Sequence, residues 1–519
     1  MKKNLLLITV ILGLMGCDSF LEPKSDTLYI PKDVTSLDEM LLGSAYPRPT
    51  STSVVISAGL QLLDDDVTCT SASGEVSSYN EPKVNSVRYI YSWQPNMFEE
   101  AAKVSMMYRG MWESQYKLIL GANGALDYVD GVDGTYNEKT LVKAQAYALR
   151  GFYFFNLVNI FGEPYNHNPK ALGIPLKLNS GVEQEDIARN TVEEVYKQVL
   201  EDLGDAEELY LSLPKDMQHK ADLRTSLPMV QLLKSRVYLY MENWKEAAQY
   251  AKKVIDDWDF ALIDLNTLEL STGTRTYYPF ITRESSDVIW LFGQGGDITN
   301  YYSLETVGAG YTYRKIFNAS AELTDGFKEG DLRKEWYIFR ESYRFPDVFL
   351  AHGKIKTSSW GNQYNGNYLA VGKFAINPDH NVADKQGFGH AFRLPEAYLN
   401  LAEAAAMDGD ETTALKALND LREKRFTPGA PDVEVSGLTG SALVDKIRQE
   451  RRLELCFEFH RWFDLRRYGM PSIKHVWNDG KGPVEYVLQE KDPGYTLPIP
   501  EVVMNQNRAL IQNKLASPR

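Results

Sequence analysis

Residues 447–469 read IRQERRLELCFEFHRWFDLRRYG. Leu455, Phe459, Trp462 and Phe463 stand at i, i+4, i+7 and i+8, the spacing of one apolar stripe on an α-helix. Glu450, Glu454 and Glu458 recur at every fourth residue, with Arg448, Arg451, Arg452 and Arg461 in reach for helical ion pairs. The pattern predicts a helix through the stretch. Asp464, Arg466 and Arg467 follow, and Gly469 is the expected stop. A catalyst can use carboxylates of this kind, but opposite charges beside large aromatics fit a buried or half-buried structural network better.

Working upstream, residues 396–407, the turn Gly409-Asp410 and residues 411–425 spell a helix, a short polar turn and a second helix. Residues 227–241, Asn243-Trp244 and 245–257 repeat that layout, with Ala247, Ala248, Ala251 and Ile255 facing inwards. Small residues let paired helices pack closely, as in tetratricopeptide hairpins. Further helices are expected over 103–129, over 139–161 with an end at Gly162-Glu163-Pro164, and after Thr191, which has Glu194 in capping-box position. The fold class is therefore mainly α: an irregular tetratricopeptide-like scaffold. Residues 258–393, rich in Gly, Asn, Ser and Tyr, and residues 50–95 read as long loops and short strands laid over it, with short helices at 320–327 and 333–337.

At the N-terminus, Lys2 and Lys3 precede an apolar run over 5–15 that is too short to span a bilayer. It ends in Leu14-Met15-Gly16-Cys17, which resembles a bacterial lipobox. The expectation is a signal peptide over 1–16, a lipidated Cys17, a tether over 17–30 and a single body over 31–519. That body divides, at changes of composition along the chain, into an N-terminal part to about residue 260, a loop-rich binding part at about 261–392 and a C-terminal part at about 393–519. Beyond residue 17 no apolar run is long enough to cross a membrane.

The net charge of −14, with no basic arm, argues against a nucleic-acid partner. Cys69 and Cys456 match no metal or redox motif and read as buried free thiols. The seven histidines form no His-Glu-x-x-His, and there is no phosphate loop, no Gly-x-Ser-x-Gly elbow and no dinucleotide fingerprint. Asp64-Asp65-Asp66 offers oxygens suited to a hard cation, although an acidic turn is the simpler reading. No cofactor and no resident metal are expected.

Tyrosine accounts for 31 residues. Its flat face and hydroxyl suit both packing and recognition. A sugar site needs exposed aromatic planes with polar partners at their edges. Three clusters in loop-like sequence fit. Tyr89, Tyr91 and Trp93 alternate, so on a strand they would share a face. Tyr277, Tyr278, Tyr301, Tyr302, Tyr311 and Tyr313 form the second cluster, and Trp360 with Asn362, Gln363, Tyr364 and Asn365 the third. Trp93 and Trp360 are the leading candidates. No catalytic residue is expected.

Many segments, in order, are similar to the SusD/RagB family of surface nutrient-binding lipoproteins. They include KAQAYALRGFYFFNLVNIFGEP at 143–164, Leu323-Thr324-Asp325 with Asp331-Leu332-Arg333, and FRLPEAYL at 392–399 with Ala402-Glu403-Ala404. The 450–469 segment and the tail YTLPIP at 495–500 follow. The resemblance implies a tetratricopeptide-like frame and an outward-facing outer-membrane lipoprotein. It also implies a SusC-like TonB-dependent transporter as partner and, commonly, oligosaccharide as ligand. Its aromatic platform would draw on an early loop near Trp93 and on the loop-rich middle. Peptide or another nutrient is the alternative ligand. A lipid-anchored glycoside hydrolase is the alternative activity, requiring two carboxylates about 5–9.5 Å apart. A scaffold binding only protein is the third reading.

Overall fold

The computed structural model describes residues 31–48, 55–57, 59–69, 81–104, 110–183, 185–220, 223–268, 280–294, 305–308, 312–341, 349–351, 354–355, 370–371, 388–478 and 481–519. The main helices are α1 (Val34–Ser44), α2 (Glu81–Tyr91), α3 (Met97–Ala102), α4 (Met111–Tyr128), α5 (Tyr136–Phe161) and α6 (Val192–Leu211). They continue with α7 (Leu227–Tyr240), α8 (Trp244–Asp256), α9 (Leu394–Met407), α10 (Glu411–Glu423), α11 (Gly440–Glu454) and α12 (Arg461–Arg467). The strands that matter below are β1 (Val67–Cys69), β2 (Val288–Gln294), β3 (Phe317–Ala319), β4 (Phe388–Arg393), β5 (Ile473–Trp477) and β6 (Val484–Leu488).

Side-chain caps set several helix starts. Thr135 with Glu138 and Thr191 with Glu194 form capping boxes at the starts of α5 and α6. Asn243 and Asp410 accept backbone N–H bonds at the starts of α8 and α10. The turns before those caps pass through left-handed residues, Glu242 and Gly409. Neighbouring helices then stack in order: α4 on α5, α5 on α6, α6 on α7, and α7 on α8. Helix α8 packs directly on α9, although the loop-rich segment separates them in sequence. Ala251, Ala402, Ala405, Ala414 and Ala417 share one buried cluster there, so the two helical hairpins form one continuous stack. Long α5 is buried almost all round. Its last carbonyls are covered by cations: Arg466 donates to the oxygens of Asn159 and Gly162, and Arg189 to that of Phe161.

The strands pair in small antiparallel sheets: β1 with β3, β2 with β4, and β5 with β6. Glu305–Gly308 and Thr312–Lys315 form a hairpin. Among the described residues no helix is long and apolar enough to cross a membrane. Cys69 and Cys456 are both buried.

Two expectations need correction. The 50–95 stretch is not only loop and strand, because it contains α2. The 447–469 stretch is two helices instead of one. Helix α11 ends at Glu454 and α12 starts at Arg461, and between them Phe457 and Phe459 both have φ of 66°. The break follows from what each half must reach. Glu450 meets Arg333 and Arg422, and Glu454 meets Arg425 and Arg333. Beyond the bend, Arg461 instead grips Asp65, while Asp464 folds back onto Arg451. A straight helix cannot present both sets of groups to those partners. The ion pairs are therefore mostly between elements, not along one helix turn. Arg333, Arg393, Arg422, Arg425, Glu450 and Glu454 are essentially inaccessible to water, so the buried-network reading holds.

Candidate functional site

Helix α2 turns Val84, Val87, Ile90 and Tyr91 into the core. Asn85, Arg88 and Tyr89 are left on its outer side, because 3.6 residues per turn separate the two sets. The helix closes with the N–H of Gln94 bonded to the carbonyl of Tyr89, through a left-handed Trp93 at φ 52°. Together with α3, the β6 edge and the C-terminal Arg519, this outer side walls an open cleft of about 560 Å³.

Two tyrosines give the cleft its aromatic surface. Tyr89 is half-buried, and Tyr486 lies on β6. Arg88 donates to the Tyr486 hydroxyl from Nε at 2.9 Å and Nη2 at 2.5 Å. Its guanidinium also lies 5.6 Å from the centre of the Tyr486 ring. Arg88 has no carboxylate partner among the described residues. Asn85, Ser92 and Gln94 add amide and hydroxyl groups, and the Glu100–Lys103 pair, 2.7 Å apart, lies on the rim. Such a wall can stack on the C–H face of a ring and hydrogen-bond the hydroxyls at its edge.

The structure separates the first aromatic cluster. Tyr89 faces the cleft, but Tyr91 and Trp93 are fully buried. The Tyr91 hydroxyl accepts the Cys69 N–H at 3.0 Å, and the Trp93 indole donates to the Leu63 carbonyl at 3.0 Å. Their alternation marks a helix end followed by a left-handed turn, not a strand with one shared face. The exposed-platform expectation is thus corrected for Tyr91 and Trp93. Tyr313 lies on the hairpin opposite Val307. Tyr277, Tyr278, Tyr301, Tyr302, Tyr311 and Trp360 fall outside the described residues, as do Asn362, Gln363, Tyr364, Asn365 and Cys17.

Asp64, Asp65 and Asp66 form the acidic turn. Arg461 holds Asp65 at 2.6 and 2.8 Å, and Arg452 holds Asp66 at 2.8 Å. Burial pushes the Asp65 carboxyl up, but Arg461 and Arg452 outweigh it and hold it below its usual value. Burial leaves Asp64 well above the usual carboxylate range. Sequence reasoning missed Arg88 and Tyr486. Arg88 sits one residue from a chosen tyrosine, but the pairing of β6 with β5 that brings Tyr486 to α2 leaves no local trace.

Comparison with known proteins places this fold. A model described as the SusD family matches residues 297–515, and one described as starch-binding associating with outer membrane matches residues 54–239. The chain belongs to the SusD/RagB family. SusD-like protein P2 of Formosa agariphila is 25% identical over 423 residues, covering 77% of this chain and 79% of that protein. A putative sugar binding protein from Bacteroides vulgatus superposes with a TM-score of 0.66 at 22% identity, over 94% of this chain and all of that one. A laminarin binding SusD-like protein superposes with a TM-score of 0.59 at 20% identity, over 93% of this chain and 99% of that one. This SusD-family chain thus shares the helical, tetratricopeptide-like fold of those structures across almost its whole length.

Proposed function

We propose that this SusD-family protein is a non-catalytic glycan-binding lipoprotein of the outer membrane. It captures oligosaccharide outside the cell and passes it to a SusC-like TonB-dependent transporter, with no bond made or broken. Lipid on Cys17 is the proposed anchor. One observation carries the ligand class: the starch-binding family description matches residues 54–239, the region that supplies α2 and α3 to the cleft. The laminarin-binding neighbour of the same fold supports it. Tyr89, Arg88 and Tyr486 form the described part of the proposed site. Tyr277, Tyr278, Tyr301, Tyr302, Tyr311, Tyr313 and Trp360 are proposed to extend it.

The test is a binding screen of the purified full-length protein, in detergent, against polysaccharides and peptides. Retention of one glycan without released product supports capture. Shortening of the retained chain would convert the reading to hydrolysis. Retention of peptides alone, or of nothing, would remove carbohydrate from the proposal.

A further inference from the structure

Behind the cleft wall, His475 occupies the centre of β5, and its cross-strand partner is Tyr486. The Tyr91 ring stacks on the imidazole with centres 4.1 Å apart and planes 14° apart. The Trp93 ring does so at 4.1 Å and 24°. Two rings cannot both lie that close on one face, so the imidazole is sandwiched. In its own plane, Nδ1 lies 2.7 Å from the Tyr91 carbonyl oxygen and Nε2 lies 2.9 Å from that of Asp64. Both oxygens are acceptors. A neutral imidazole carries one N–H, so its other nitrogen would aim a lone pair at a carbonyl. Trp93 also adopts the left-handed backbone that bulky residues avoid, and it thereby keeps its ring on His475.

We propose that His475 is an imidazolium cation at neutral pH, donates to both carbonyls, and acts as a positioning residue for the cleft through Tyr91, Trp93 and Tyr486. The positioning role rests on the cleft reading of the previous section, whereas the charge state does not.

The surrounding groups oppose one another. Burial acts on His475 most strongly and, even against the upward pull of the two carbonyls and Asp65, lowers the ring to about 4. The contact geometry argues the other way, because neither carbonyl oxygen can donate to a bare ring nitrogen. The negative faces of Tyr91 and Trp93 also favour the cation. From the turn before β1, Asp64 is pushed well up by burial, Asp66 is raised by burial, and Asp65 stays low. Arg452 on α11 and Arg461 on α12 neutralise that turn. From α2, the Arg88 guanidinium lies beyond the rings of Trp477 and Tyr486, and the Tyr91 hydroxyl is turned to Cys69.

The two charge states give opposite pH slopes. If the folded pKa is raised, the stability from His475 is full below the unfolded value of about 6.5. It is then lost as pH rises, so the folding constant of wild type relative to His475→Phe falls about tenfold per pH unit between about 6.5 and the folded pKa. A neutral buried histidine gives a ratio that rises up to about pH 6.5 and is flat above it. A falling ratio between pH 6.5 and 8 is expected, and a flat one overturns the proposal. Should the Phe variant fail to fold, ¹⁵N-histidine spectra of the full-length wild type decide it. Two protonated ring nitrogens at pH 7 are expected in the buried ring, and one bare nitrogen overturns the charge state. Glycan affinity of well-folded His475→Phe should fall at least tenfold, and unchanged affinity overturns the positioning role. A wild type that binds no glycan refutes the cleft reading and leaves the charge state standing.

Discussion

Glu454→Gln keeps the shape of a side chain at the centre of the buried charge network and removes its charge. Glu454 accepts from Arg425 Nε at 2.8 Å and Nη2 at 2.9 Å, from Arg333 Nη1 at 3.3 Å and from the Tyr337 hydroxyl at 3.2 Å. Both arginines are no more than 1% exposed, so water cannot replace the lost carboxylate. Removing one partner of a buried pair costs about 3–5 kcal/mol. The amide oxygen still accepts one bond, which points to the lower end, about 3 kcal/mol. Unfolding entropy of about 2.1 cal/mol/K per residue gives about 1 kcal/mol/K for a chain of this size, so the midpoint should fall by about 3 °C. Differential scanning fluorimetry reads that directly. The control is Lys416→Ala, whose pair with Asp420 is 74% and 39% exposed. An exposed pair of that kind is worth about 0.5 kcal/mol or less, below 1 °C. If Glu454→Gln melts within about 1 °C of wild type, the network does not carry the charge it is assigned.

Glu403 gives a pH prediction. Burial pushes its carboxyl up, but Arg467, with Arg448 and Arg451, outweighs burial and holds it down to about 2. A depressed carboxyl stabilises above its unfolded value and loses that stability as pH falls towards 2, here about 3 kcal/mol between about pH 4.5 and 2. Acid unfolding followed by circular dichroism should therefore be less steep in Glu403→Gln, and an unchanged slope would contradict the pairing. Tyr89→Ala and Arg88→Ala should each weaken glycan binding about tenfold in calorimetric titration, with the melting point within about 2 °C of wild type, as for changes at a partly exposed surface. Trp93→Ala should instead destabilise by about 3–5 kcal/mol, because it empties a buried ring site. A stable Trp93→Ala variant that had lost only glycan binding would return Trp93 to the site.

Much of the frame was legible from residues alone. Thr191 with Glu194, Asn243 and Asp410 mark helix starts through contacts three residues long, and the alanine spacing of α8 and α9 announces close packing. Those signals are local, so one chain position reads its own neighbours. The tertiary structure decided what local spacing leaves open. Nothing between residues 447 and 469 says that the apolar stripe breaks after Glu454, because the cause lies in Asp65, Arg333 and Arg425, far away in sequence. Likewise, Tyr89, Tyr91 and Trp93 are equivalent on paper. Only the arrival of His475 on β5 buries two of them and leaves Tyr89 at the cleft. Periodicity and capping are written in short-range geometry, whereas burial of an aromatic ring or a charge depends on which distant segment packs against it.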